Sequence, residues 1–353
     1  PASGSTTTVL RCSLMLTPTR PLDLARHFGQ RTAHTSQAQN YSDLRKDGAT
    51  VAVLHQGGAP NPWINYPYRT DKLIASAAAG AHAAGMKLKV YNTMRELSTR
   101  CRELFALAAL RETLLPTSPP RAGGPPTPPA VEVPASDWLS EHLQYDYQPA
   151  WSNPVSGLDN YAAEGWVPHT NEADAAVKVR GLSRWNNYYV EGLRWLGEKL
   201  GTDGIYLDEI AYDRVTMLRA RRVLGVSGLI GHHSDSAHYA TSSALNYLEL
   251  YPFIDSLWYG EGFDYERASA VFWLCEMSGL PHGLTNELLR YGGQTPAHFK
   301  GMLFGSANRW QGPFDVPLGT SPFDPRAVWA LWDRFGIDSA VMYGFWLDAE
   351  RGA

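Results

Sequence analysis

Cysteine is scarce: three in 353 residues, Cys12, Cys101 and Cys275, stand far apart with no Cys-x-x-Cys pair and no Cys/His cluster. That spacing argues against a disulfide framework and a structural zinc site. Charge is scarce too, since Asp, Glu, Lys and Arg make up 19% of the chain, against roughly 25% in ordinary globular proteins. The 31 basic and 35 acidic residues leave a net charge of −4, with no block of like charge. Such a balance disfavours nucleic acid as a partner. Every apolar run stops well short of the roughly 18 residues a membrane helix needs, so no membrane span is expected. The phosphate-binding patterns Gly-x-x-x-x-Gly-Lys-Ser/Thr and Gly-x-Gly-x-x-Gly do not occur. The chain begins Pro1-Ala2-Ser3, without Met, a basic stretch or an apolar leader core, which suggests a processed or trimmed N-terminus. What is plentiful is aromatic: 12 Trp, 18 Tyr and 11 Phe.

Periodicity predicts alternating strands and helices. Strands are expected over 14–18, 51–58, 86–94, 204–209, 228–232, 256–259, 282–285 and 339–346. Helices are expected over 22–28, 70–85, 99–115, 184–200, 217–224, 241–250, 265–277 and 324–336. The helix over 184–200 is the clearest, with Trp185, Tyr189, Leu193, Leu196 and Leu200 at spacings of three and four. Trp185, Trp195, Trp273, Trp329 and Trp332 fall on helices, where packing is their expected role. Residues 116–134 hold eight prolines and two glycines, a composition that fits a surface insertion or disordered loop. Eight strands alternating with helices predict an α/β fold, a (β/α)8 TIM barrel with long βα loops, spanning 1–353 as one domain. The chain ends a few residues past the last expected strand, so the eighth helix is either missing or replaced by another segment.

In such a barrel the chemistry lies at the C-terminal ends of the strands. The expected rim holds Tyr91 and Asn92, Asp208 and Glu209, His232, His233 and Asp235, Trp258, Tyr259 and Glu261, Asn286 and Glu287, and Tyr343, Trp346 and Asp348. Strand geometry sends His232 and His233 to opposite faces, so at most one enters the pocket. Aromatic faces beside carboxylates and amides suit a sugar, the rings stacking on its C–H surface and the polar groups taking its hydroxyls. The expected partner is therefore an oligosaccharide or other glycan. No cofactor is expected, and no metal either, because the first expected strand offers no histidine. Adjacent carboxylates cannot flank a glycosidic bond symmetrically. They suit substrate-assisted cleavage, in which a 2-acetamido oxygen attacks the anomeric carbon, Asp orients that group and Glu protonates the leaving oxygen.

The segments GTDGIYLDEIAYDR, IDSLWYGEGFDYE, MSGLPHGLTNELLRYGG, GMLFGSANRW and ALWDRFGIDSAVMYGFW resemble the catalytic barrel of glycoside hydrolase family 123-like proteins, including uncharacterised relatives. The resemblance covers 180–348 well and the first hundred residues only in layout. It implies a retaining, substrate-assisted β-N-acetylgalactosaminidase-type hydrolase. In that reading Asp208 orients the acetamido group and Glu209 is the acid/base. The family's β-sandwich domains are not found in this sequence, which leaves room for neighbouring domains or chains. A secreted or extracellular setting is expected. Two alternatives stand beside this reading. One is a retaining β-glycosidase with Glu209 as acid/base and Glu287 as nucleophile, which needs carboxylates about 5 to 5.5 Å apart. The other is a non-catalytic glycan-binding or structural barrel. Tyr91, Asn92, His233, Trp258, Tyr259, Glu261, Tyr343, Trp346 and Asp348 are the expected substrate contacts.

Overall fold

The computed structural model describes residues 14, 16, 18–94, 96–98, 101, 103, 106–107, 174–176, 184–208, 213–233, 244–258, 269–288, 296–312, 314–318 and 324–341. Among these, eight strand positions make one parallel sheet. They are β1 (Thr32–Thr35), β2 (Val51–Leu54), β3 (Lys87–Asn92), β4 (Gly204–Leu207), β5 (Leu229–His233), β6 (Ser256–Trp258), β7 (Thr285–Leu288) and a split β8 (Ala307–Asn308 and Trp310–Gln311). Each strand pairs with the next in sequence. The first half of β8 sets Ala307 opposite Glu287 of β7, and the second half sets Trp310 opposite Ala33 of β1. Only Arg309 separates the halves, so five consecutive residues join the two edges of the sheet and produce the barrel.

Helix α1 (Leu24–Gly29) precedes β1, and α2 (Tyr41–Lys46), α3 (Asp71–Ala83), α4 (Arg184–Leu200) and α5 (Arg214–Leu224) follow β1 to β4. A 3-10 stretch, Ala244–Phe253, follows β5. Then α6 (Ala270–Phe272) runs into a π-helical turn, Trp273–Met277, after β6, while α7 (Pro296–Leu303) and α8 (Arg326–Phe335) follow β7 and β8. A short antiparallel ladder, Glu96–Ser98 with Asp174–Ala176, stands apart on the β3–α4 connection. No helix among the described residues is long and apolar enough to cross a membrane.

Period-two alternation sorts the strand side chains. Leu88, Val90, Ile205, Leu207, Ile230 and Leu257 face the helices and belong to the main core. The residues between them turn into the barrel, where Val53, Tyr91, Tyr206 and Trp258 form a separate apolar cluster with Ile64 of the β2–α3 loop. Helix α4 buries the expected stripe of Trp185, Tyr189, Leu193, Leu196 and Leu200.

The frame of strands differs from the expected one at both ends. Leu14, Leu16 and Pro18 carry no strand, and the first strand is Thr32–Thr35. Ile337–Ser339 is a 3-10 turn rather than the start of the last strand, and the eighth strand is instead 307–311. The side left for an eighth helix is closed by α8. Its Trp329 meets Trp310 of β8 edge to face at 6.5 Å, Trp332 meets Phe28 of α1, and Asp333 pairs with Arg31 at the entry to β1. The proline-rich stretch 116–134 lies outside the described residues, as does most of the helix expected over 99–115.

Candidate active site

Strand β4 ends at Leu207, and the Asp208 backbone N–H donates to the carbonyl of Asn92 at 2.9 Å, continuing the pairing with β3 by one residue. That extra bond fixes Asp208 at the C-terminal mouth, only 8% exposed. The Tyr91 hydroxyl donates to its Oδ2 at 2.5 Å. His233 Nδ1 donates to Oδ1, and the Tyr206 hydroxyl lies 3.5 Å from the same oxygen. Burial alone would raise the pKa of this carboxyl. The charge and hydrogen bond of His233, then the hydroxyl of Tyr91 and the charge of His55, outweigh burial and hold it well below the usual carboxylate range.

Aromatic rings pack around this carboxylate. His233 stacks on Trp258 with centroids 3.9 Å apart and planes at 21°. The Arg309 guanidinium lies 4.4 Å from the Trp258 ring and 4.5 Å from Tyr206, cation–π distances within the favourable range. His55, at the end of β2, sets its ring 4.2 Å from Tyr91.

Deeper in the barrel lies an ionic layer. Glu287 of β7, 1% exposed, takes Lys89 Nζ at 3.2 Å and Arg309 Nε at 2.8 Å. Arg309 Nη1 also donates to His34 Nδ1 at 2.9 Å. Gly231 makes room for this layer, because a Cβ there would meet Lys89 Nζ at 3.0 Å. Burial opposes ionisation of Glu287, yet Lys89 and Arg309 hold its pKa down at about 2. Burial, and next the charge of Arg309, keep His34 neutral, its pKa well below the ordinary histidine value.

Several expected site residues are thus brought together: Tyr91, Asp208, His233 and Trp258. Asn92 is not. Tyr91 faces inward, so alternation turns Asn92 outward into a crevice lined by Trp185 and Tyr189 of α4. Trp258 is buried, with its ring against His233 and Arg309, so it forms the wall of the site instead of offering a face to a sugar. Glu287 is tied to two cations below the rim. His233 enters the barrel and His232 points away, as strand geometry requires. Glu209, Asp235, Tyr259, Glu261, Tyr343, Trp346 and Asp348 lie outside the described residues. The strand whose end the last three were expected to mark is instead 307–311.

Sequence reasoning passed over His34, His55, Lys89, Tyr206 and Arg309. The first strand does carry a histidine, His34, but its Nδ1 lone pair is taken by Arg309. No group of three His, Cys, Asp or Glu side chains suited to a metal is found among the described residues. A cavity of about 410 Å³ lies at the opposite mouth, lined by Arg26, Gln30, Thr50 and Lys87, away from the face where barrels of this kind carry their chemistry.

Among solved structures the chain is similar to an alpha-amylase from Lactobacillus plantarum, with 14% identity and TM-score 0.39 over 66% of this chain and 53% of that one. The chain thus spans about half the length of that enzyme. It is also similar to a cyclic alpha-maltosyl-(1→6)-maltose hydrolase from Arthrobacter globiformis, with 12% identity and TM-score 0.46 over 90% and 81% of the two chains. An alpha-amylase from Geobacillus thermoleovorans matches at 10% identity and TM-score 0.44 over 86% and 76%. No curated protein sequence matches. A family model described as the TIM-barrel domain of glycoside hydrolase 123 matches residues 23–311, a span that begins at the cap of α1 and ends on the last residue of β8. The chain therefore belongs to the glycoside hydrolase 123 TIM-barrel family.

Proposed function

We propose that this barrel hydrolyses a β-linked N-acetylhexosamine, N-acetylgalactosamine-like, with retention and with the substrate's acetamido group as the internal nucleophile. The observation that carries the reading is the state of Asp208: an anionic carboxylate at the end of β4, held by Tyr91 and His233. Each oxygen of an ionised carboxylate can accept more than one hydrogen bond. Asp208 therefore retains capacity for the acetamido N–H of a sugar seated at the mouth. As the acetamido carbonyl oxygen bonds to the anomeric carbon, the bond to the leaving oxygen breaks and Glu209 supplies the proton. Glu209 then takes a proton from water, which opens the cyclic intermediate and restores the configuration. Family membership supports the hydrolase class, and Glu209 follows Asp208 directly in sequence. The alternative with Glu287 as nucleophile loses support, because two buried cations already occupy that carboxylate.

The test is hydrolysis of a panel of aryl β-glycosides with and without a 2-acetamido group, together with a thiazoline inhibitor. Turnover restricted to the acetamido substrates, inhibited by the thiazoline and lost in Asp208→Asn and Glu209→Gln, is the expected result. Turnover of plain glycosides without thiazoline inhibition would overturn substrate assistance. Silence across the panel would favour a glycan-binding barrel.

A further inference from the structure

We infer that His233 serves the reaction through Asp208, as a positioning residue that fixes and charges the carboxylate, and not as a contact to the sugar. The inference rests on the reading of Asp208 given above. Its ground is a continuous chain of contacts. Glu287 and His34 hold Arg309, Arg309 lies against Trp258, Trp258 stacks on His233, and His233 Nδ1 holds Asp208 Oδ1. The imidazole is buried, with one ring nitrogen on the carboxylate and its ring against Trp258. Tyr91 engages the other carboxylate oxygen, so the plane of the carboxylate is set from two strands at once.

This placement matters at one step. When the acetamido oxygen attacks the anomeric carbon, positive charge grows on the acetamido nitrogen. An anionic partner stabilises that charge through the N–H without taking the proton, whereas a protonated carboxyl accepts the bond more weakly and carries no charge to balance it. Two donors on the carboxylate keep it anionic. Loss of either should make Asp208 protonate at a higher pH and weaken the assisted step.

Other titratable groups face this pair: His55 from β2, Tyr91 and Glu96 from β3 and the loop after it, Tyr206 from β4, and Arg309 with His34 from β8 and β1. Burial first, and then Asp208, push the Tyr91 hydroxyl well above its ordinary pKa, so it stays a neutral donor. His34 is kept neutral by burial and Arg309.

The experiment compares His233→Phe, which keeps a ring against Trp258 but lacks the donor, with His233→Asn, whose amide can replace Nδ1. Both are assayed on an aryl 2-acetamido β-glycoside across pH, with thermal unfolding as the folding check. In His233→Phe an acid limb of kcat/KM is expected to emerge at higher pH, as the Asp208 carboxyl rises toward the ordinary carboxylate range. Its kcat should fall at least about tenfold while KM stays within about twofold. His233→Asn should restore most of both, and His55→Asn combined with His233→Phe should leave the shift in place. If His233→Phe does not fold, Tyr91→Phe must move the same limb in the same direction. A rise in KM at unchanged kcat with a stationary limb, or a stationary limb in Tyr91→Phe, overturns the inference while leaving the role of Asp208 intact. Wild-type turnover by Asp208→Asn overturns both.

Discussion

Glu287 is one carboxylate facing two cations, Lys89 and Arg309, all three at most 1% exposed. Dropping its charge strands two positive groups in the barrel interior, with Arg309 still pressed between Tyr206, Trp258 and His34. Breaking a buried ion pair by removing one partner typically costs about 3 to 5 kcal/mol. We therefore expect Glu287→Gln to lower the unfolding free energy by an amount of that order in urea titrations. A nucleophile behaves differently, since its amide variant folds normally and loses turnover. Full stability together with abolished hydrolysis in Glu287→Gln would return that residue to the catalytic role. The same neutralisation of Asp208 should weaken the fold less, because its partners include a neutral hydroxyl and it lies at the mouth, with turnover as the main loss.

Strand β8 and helix α8 show how elements close the barrel and which elements a sequence exposes. Trp329 is 1% exposed, packed on Trp310, with the Arg31 guanidinium 6.0 Å from its ring. Truncating a buried aromatic costs about 3 to 5 kcal/mol through lost transfer energy and the cavity left behind. Trp329→Ala should lose about that much in denaturant titrations while retaining kcat at low temperature, where the barrel remains closed. A loss under about 1 kcal/mol would mean that α8 does not hold the β8–β1 seam. Helix α8 was legible because Asp324-Pro325 marks its start and Gly336 its end, and β4 because an unbroken apolar run leads to Asp208. Strand β1, Thr-Ala-His-Thr, has one apolar residue. Strand β8 has an interior arginine where it passes from one neighbour to the other, so neither shows an apolar run. The site divides the same way. Asp208 and His233 follow from their places at strand ends, whereas Lys89, Arg309 and His34 belong to interior positions that only the closed barrel brings together. Asn92 lies on the outer face; a strand end alone does not say which face a side chain takes.

On the scale of the whole molecule, two buried neutral histidines and three buried carboxylates make stability rise with pH. His34 is held well below the ordinary value of 6.5 by burial and Arg309, and His232 falls to about 3 through burial and the charge of His233. Each is neutral in the fold and takes up a proton once unfolded below its ordinary pKa, so the unfolded state binds more protons and stability rises with pH. The contribution is complete above about pH 6.5 and drains away as pH falls toward the folded values. Asp255, lowered by Arg221, Arg26 and Arg20 against its burial, acts in the same sense at lower pH, as do Asp208 and Glu287. These two histidines each contribute about 1.4 kcal/mol per pH unit to the upper slope. Urea midpoints measured from pH 7 down to pH 4 should therefore fall steadily, beginning near pH 6.5 and before any carboxylate titrates. Replacing His232 by Asn, which cannot titrate, should flatten that slope by up to about 1.4 kcal/mol per pH unit. An unchanged slope in His232→Asn, or stability that holds flat until pH 4, would show that these imidazoles do not stay neutral in the folded barrel.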